Sequence, residues 1–167
     1  MDATPFQKSL ADGRHALLQN MVGEWVGRTR VWFEPSTEPA LTLLQRGHVR
    51  PMLGGRFLFH EYAADDGSRI HEGIALYGWH LERARFEVAW GDDFHTGTGL
   101  MLCAGAREAP GFHGLGSYPA VKGPDWGWRI ELAQDAIDTL RIAMFNIPPD
   151  GPEALAVETL YRRAGTG

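Results

Sequence analysis

The chain has one cysteine, Cys103, so no disulfide within it can staple the fold. The role expected of Cys103 is that of a small buried hydrophobe on a strand. No basic start followed by an apolar run stands at the N-terminus, and no apolar stretch approaches the ~18 residues of a membrane helix. Those absences predict a reducing, cytoplasmic setting and no membrane partner. Lysine is scarce as well. Lys8 and Lys122 are the only two, and with a formal charge of −5 the chain lacks the basic face that nucleic acid demands. After Gly23 no stretch repeats its apolar residues at helical spacing, which argues against a bundle or an α/β fold.

What the sequence does contain is glycine and large aromatics. There are 21 glycines and six tryptophans in 167 residues, with 44% hydrophobic and 22% charged, the balance of one ordinary globular domain. Aromatics favour strands and glycine marks turns and bulges. Residues 1–22 form the one helical segment, a part of the same domain. Leu10, Ala11, His15, Leu17, Leu18 and Met21 give it an apolar face, and Gly23 ends it.

Ten strand-like runs then fill residues 23–164. They are Glu24–Glu34, Leu41–Leu53, Arg56–Ala63, Arg69–His80, Arg85–Asp92, Thr98–Ala104, Phe112–Tyr118, Gly127–Ala133, Leu140–Ile147 and Leu155–Arg163. Gly54-Gly55 and Asp65-Asp66-Gly67 supply tight reversals, and Pro148-Pro149-Asp150-Gly151-Pro152 cannot lie inside a sheet. Short strands with short loops and no helices between them make an antiparallel meander. A sheet of about ten strands curls, and closure removes its edges. The expected fold is therefore all-β, an up-and-down antiparallel barrel, wide enough for an interior cavity.

Gly23-Glu24-Trp25 opens the first strand as Gly-x-Trp, and the last strand ends in Tyr161-Arg162-Arg163. This resembles the calycin (lipocalin-like) arrangement, which implies that Trp25 closes the barrel floor and a late arginine packs across it. From Met21 onward the chain also resembles the bacterial family known as domain of unknown function 1579. The resemblance is carried by Met21–Trp25, Trp32–Pro35, Arg50–Phe57, His60–Tyr62, Gly73–Trp79 and Phe94–Gly99. It continues through Gly116–Tyr118, Trp126–Arg129 and Val157–Arg163. The resemblance implies a lipocalin-like barrel and no particular activity.

Strand parity assigns the interior. With Trp25 inward, Thr29, Val31 and Phe33 follow it, while Arg28, Arg30 and Trp32 face out. Phe86, Val88 and Trp90 carry Asp92 inward, and Phe57 and Phe59 sweep Glu61 in with them. The fourth strand is ambiguous: Ile70, Ile74 and Leu76 share a face with Glu72, whereas Tyr77 lies with Gly73 and Ala75. Glu61, Asp92 and Tyr77 would then form a polar handle in an aromatic cavity lined by Trp90 and Trp128. His95 joins them from Phe94-His95-Thr96-Gly97-Thr98-Gly99, read as a turn at the mouth, and Arg50 is the candidate partner for a ligand carboxylate. The plainer alternative is that Glu61 and Asp92 only bond loop backbone.

Seven histidines show no pair at strand or helix spacing that would aim two rings at one ion, so no metal is expected. No cofactor is expected either, haem on an axial His60 or His95 being the one alternative left open. No serine sits in a nucleophile motif. The function expected is binding of a small apolar or aromatic molecule in the barrel interior. One alternative is a structural barrel plugged by Trp90, Trp128 and Phe59, forming a homodimer through an exposed Trp32. The other is an enzyme with Glu61 or Asp92 as base and His95 or Tyr77 as acid.

Overall fold

Turns and loops reverse the chain after every run, and each run finds its partner in the next. The structure, a computed structural model that describes residues 2–165, contains ten strands. They are β1 (Gly23–Val31), β2 (Leu41–Met52), β3 (Phe57–Asp65), β4 (Ile70–His80) and β5 (Arg85–Asp92), followed by β6 (Met101–Ala104), β7 (Phe112–Tyr118), β8 (Trp126–Ala133), β9 (Thr139–Ile147) and β10 (Ala154–Arg163). All neighbours are antiparallel, and β1 closes on β10 with Trp25 opposite Arg163 and Val31 opposite Val157. The expected closed barrel is the observed one. β6 is shorter than the run Thr98–Ala104, because residues 93–98 fold into a turn. Its one register pair with β7 is Ala104 opposite Leu115.

The single expected helix is two, α1 (Pro5–Asp12) and α2 (Arg14–Gln19). Gly13 separates them in an extended conformation, and a side chain there would collide with the Ser9 backbone at 2.8 Å. Thr4 caps α1 with a reciprocal capping box to Gln7. The two helices lie at one end of the barrel. Arg56 stacks over Phe6, Arg14 stacks over Trp79, and Leu18 and Met21 join the core cluster around Trp25. Arg163 then lies over Trp25 and donates to the Val22 and Asn20 carbonyls, so this end is a sealed floor. The opposite end carries the loops that follow β1, β3, β5, β7 and β9, and it is the mouth.

Parity holds on β1 as far as Val31 and on β5 throughout, where Phe86, Val88, Trp90 and Asp92 are buried. It settles β4 in favour of Tyr77, with Gly73 and Ala75 beside it. On β3 the expectation fails. Leu58, His60 and Ala64 are buried, while Phe57 and Phe59 face outward with Glu61, whose side chain is half exposed. Both faces of β3 carry large apolar groups, so hydrophobicity alone selects the wrong one. Arg50 is corrected with it: it pairs with Phe59 across the strands and stacks on that ring from outside, 4.7 Å from the centroid. Phe33 lies past the end of β1, exposed, rather than inside. Trp32 is half-buried, with Arg30 over its ring.

Candidate functional site

The inner half of the barrel is filled and polar. His60, inward on β3, lies between two tyrosine hydroxyls, with Nδ1 3.1 Å from Tyr77 and Nε2 3.1 Å from Tyr161. Gln45 donates to Tyr161 at 2.5 Å and accepts from Thr29 at 2.6 Å, and Thr29 meets Thr159 at 2.8 Å. These bonds order their protons. Tyr161, accepting from Gln45, donates to His60 Nε2, and His60 Nδ1–H then donates to Tyr77. Burial pushes the His60 pKa down to about 3, and it raises those of Tyr77 and Tyr161 above the usual phenol value. The network is neutral. Gly47 permits it, because a side chain there would come within 2.7 Å of His60 Nε2.

Above the network, Trp90 donates to Tyr62 at 2.9 Å, and its ring stacks on Trp128 with centroids 5.6 Å apart and planes 6° from parallel. What remains open inside is about 40 Å³, bordered by Tyr62, Tyr77 and Phe94. That volume suits a water or two, not a drug-sized molecule. Phe59, expected to help plug the barrel, lies outside it.

A cleft of about 600 Å³ lies at the mouth, bounded by the loop after β1, the loop after β5, and the ends of β7 and β8. Phe33, Phe94, His95, Leu100, Tyr118 and Trp128 form its walls. The loop after β5 is fixed by Asp92, which accepts from the His95 backbone at 2.6 Å, the Thr96 backbone at 3.0 Å and His95 Nδ1 at 2.8 Å. Burial alone would raise the Asp92 pKa, but the bonds from His95 and Thr96 outweigh it and hold the carboxyl below its usual range. The carboxylate thus orients the imidazole. Tyr118 donates its proton to Asn146. Trp128 Nε1 is buried and has no hydrogen-bond partner.

Of the seven residues expected at the site, Tyr77 and Trp90 border the interior space, Asp92 and His95 lie where it meets the mouth, and Trp128 stacks at the boundary of the two. Glu61 and Arg50 lie on the outer wall, Glu61 beside His48. The reasoning from sequence missed Tyr62, Gln45 and Tyr161. The alternation of Leu58, His60 and Tyr62 was the available signal on β3, masked by Phe57 and Phe59. Of the two histidines weighed for haem, His60 has both ring nitrogens engaged, and His95 keeps Nε2. Among the described residues no group of three His, Cys, Asp or Glu is placed to hold a metal ion. Cys103 is buried, and burial pushes its thiol up to about 11.

The family model described as "Protein of unknown function (DUF1579)" matches residues 11–163, and the chain belongs to that family. No curated protein matches it. Among solved structures it is similar to the crystal structure of Rv2717c from M. tuberculosis, with a TM-score of 0.57 and 15% identity, over 97% of this chain and 99% of that one. At that identity the likeness is one of fold.

Proposed function

From that membership and the geometry of the mouth, we propose that this barrel binds a small, flat, mostly aromatic molecule, and that it does so in the mouth cleft rather than in the deep interior. The observation that carries the reading is the cleft's aromatic wall, in which Phe33, Phe94, Tyr118 and Trp128 face one open space of about 600 Å³. The cleft falls within the usual range for small-molecule sites, about 300–1,000 Å³. The filled interior beneath it acts as a rigid base, so the site needs little rearrangement to bind.

Trp90 and Trp128 are built-in reporters. Titration with 4-nitroanisole, a flat nitroaromatic that quenches indole, is expected to give saturable loss of tryptophan emission. Leu100 is exposed on the cleft wall, so Leu100→Glu is expected to weaken that binding without unfolding the protein. Quenching that never saturates, or that is indifferent to Leu100→Glu, would refute the reading. Native mass spectrometry of freshly purified protein reads any retained molecule directly.

A further inference from the structure

We propose that this protein pairs with a second copy of itself through the outer wall formed by β3–β7. The mouth end of each copy lies beside the floor end of the other, about a twofold axis that crosses the strands.

The outward positions of the barrel are filled in two different ways. On β1, β10, β9 and β8 they carry alternating charges: Arg30 pairs with Glu158, Glu158 with Arg141, Arg141 with Glu131, and Glu131 with Arg129. That wall is suited to water. On β3–β7 the outward positions are largely apolar, and they are contiguous. Phe59 lies opposite Leu76, Leu76 opposite Ala89, and Ala89 opposite Leu102. The next row toward the floor runs from Phe57 through Gly78, Glu87 and Ala104 to Leu115. Leu102 is 66% exposed and Leu115 55%. Monomers seldom leave so continuous an apolar surface open to solvent, and such a patch marks a face that is covered.

The wall matches itself in shape. The small side chains of Ala89 and Ala104 leave a groove of about 370 Å³, lined also by Phe57, Leu76, Leu102 and Leu115. A twofold axis between the two rows sets each outward residue against the position two residues away on the partner's same strand. Leu102 then falls over the partner's Ala104. Leu76 meets the partner's Phe57, whose ring lies across Gly78. Glu87, which faces the partner's Ala89, is already neutralised by Arg85 at 2.7 Å.

The wall also matches itself in charge, and this selects a second copy as the occupant. At the floor end Arg56, Arg83 and Arg85 outnumber Glu82 and Glu87, whereas at the mouth end Glu61, Glu72 and Asp93 outnumber Arg69. Arg83, in the turn after β4, and Glu72, on β4 near the mouth, are exposed and have no ion pair within the chain. The same axis brings Arg83 of each copy to the partner's Glu72, twice over. A lipid surface would use the leucines and leave both charges unmatched.

Sedimentation equilibrium of the full chain is expected to show a dimer at micromolar concentration. Leu102→Glu is expected to give a monomer with an unchanged circular dichroism spectrum. Arg83→Glu and Glu72→Arg are each expected to weaken the dimer roughly tenfold, and the two combined to restore it, because the pair then only exchanges signs. Both side chains are on the surface, so this pair reads the interface even should Leu102→Glu fail to fold. A wild-type monomer at that concentration overturns the proposal, and its flotation with phosphatidylcholine vesicles would assign the wall to lipid. A dimer that persists in folded Leu102→Glu overturns it too. Charge variants that weaken the dimer but are not restored in combination, or that leave it unchanged, overturn the antiparallel pairing.

Discussion

The guanidinium of Arg163 lies over the indole of Trp25, 4.4 Å from the ring centroid, and fastens the last strand to the first at the barrel floor. The indole N–H is itself spent on the Met21 carbonyl, and Arg163 donates to the carbonyls of Val22, Asn20 and Ile137. One side chain therefore satisfies backbone acceptors from the helical segment and from the turn after β8. That is where a closed barrel is most exposed to fraying.

Arg163→Lys is expected to destabilise the protein by about 2 kcal/mol although it keeps the charge, because an ammonium cannot stack on indole while reaching three carbonyls. Urea unfolding measures it. A change under about 0.5 kcal/mol would show that the floor is held by apolar packing alone.

Acid should weaken the fold before the carboxylates titrate. His60 has an ordinary value of 6.5, which burial lowers to about 3 in the folded protein. The folded state therefore refuses a proton that the unfolded state accepts. Stability is full above about pH 6.5 and falls toward pH 3, with a limiting slope of about 1.4 kcal/mol per pH unit. His15 is lowered too and acts in the same direction, whereas Asp92 and Glu158, held low by their partners, lose their contribution at lower pH. His60→Gln is expected to remove most of the slope between about pH 6.5 and pH 5. Identical slopes in the two proteins would show that the His60 environment is open to water.

Glu61→Ala and Arg50→Ala are expected to leave 4-nitroanisole binding unchanged and to shift stability by less than about 1 kcal/mol, since both side chains are on the outer wall. A several-fold loss of affinity in either variant would place the site on the wrong side of the barrel.

Much of the fold was legible because its signals are local. Runs of β-branched and aromatic residues between Gly, Asp and Pro turns mark ten strands whatever the rest of the chain does, and closure follows from their number and from twist. Trp25 and Trp90 could be aimed inward because only one face of β1 and of β5 is apolar. Asp92 followed from the parity of β5, and His95 from the turn directly after it.

On β3 the same reasoning had nothing to choose by, because Phe57 and Phe59 on one face match Leu58 and Tyr62 on the other. Closure decided it, by supplying Tyr77 and Tyr161 as partners for His60, which makes a polar inner face cheaper to bury than Glu61 would be. The volume left empty was likewise a tertiary matter. It depends on how side chains from all the strands meet, and they meet closely enough to fill the deep barrel. The sequence by itself determined that the chain would close on itself and which turns would crown the mouth. How much space stays open, and which side chains line it, was decided only when distant strands brought their side chains together.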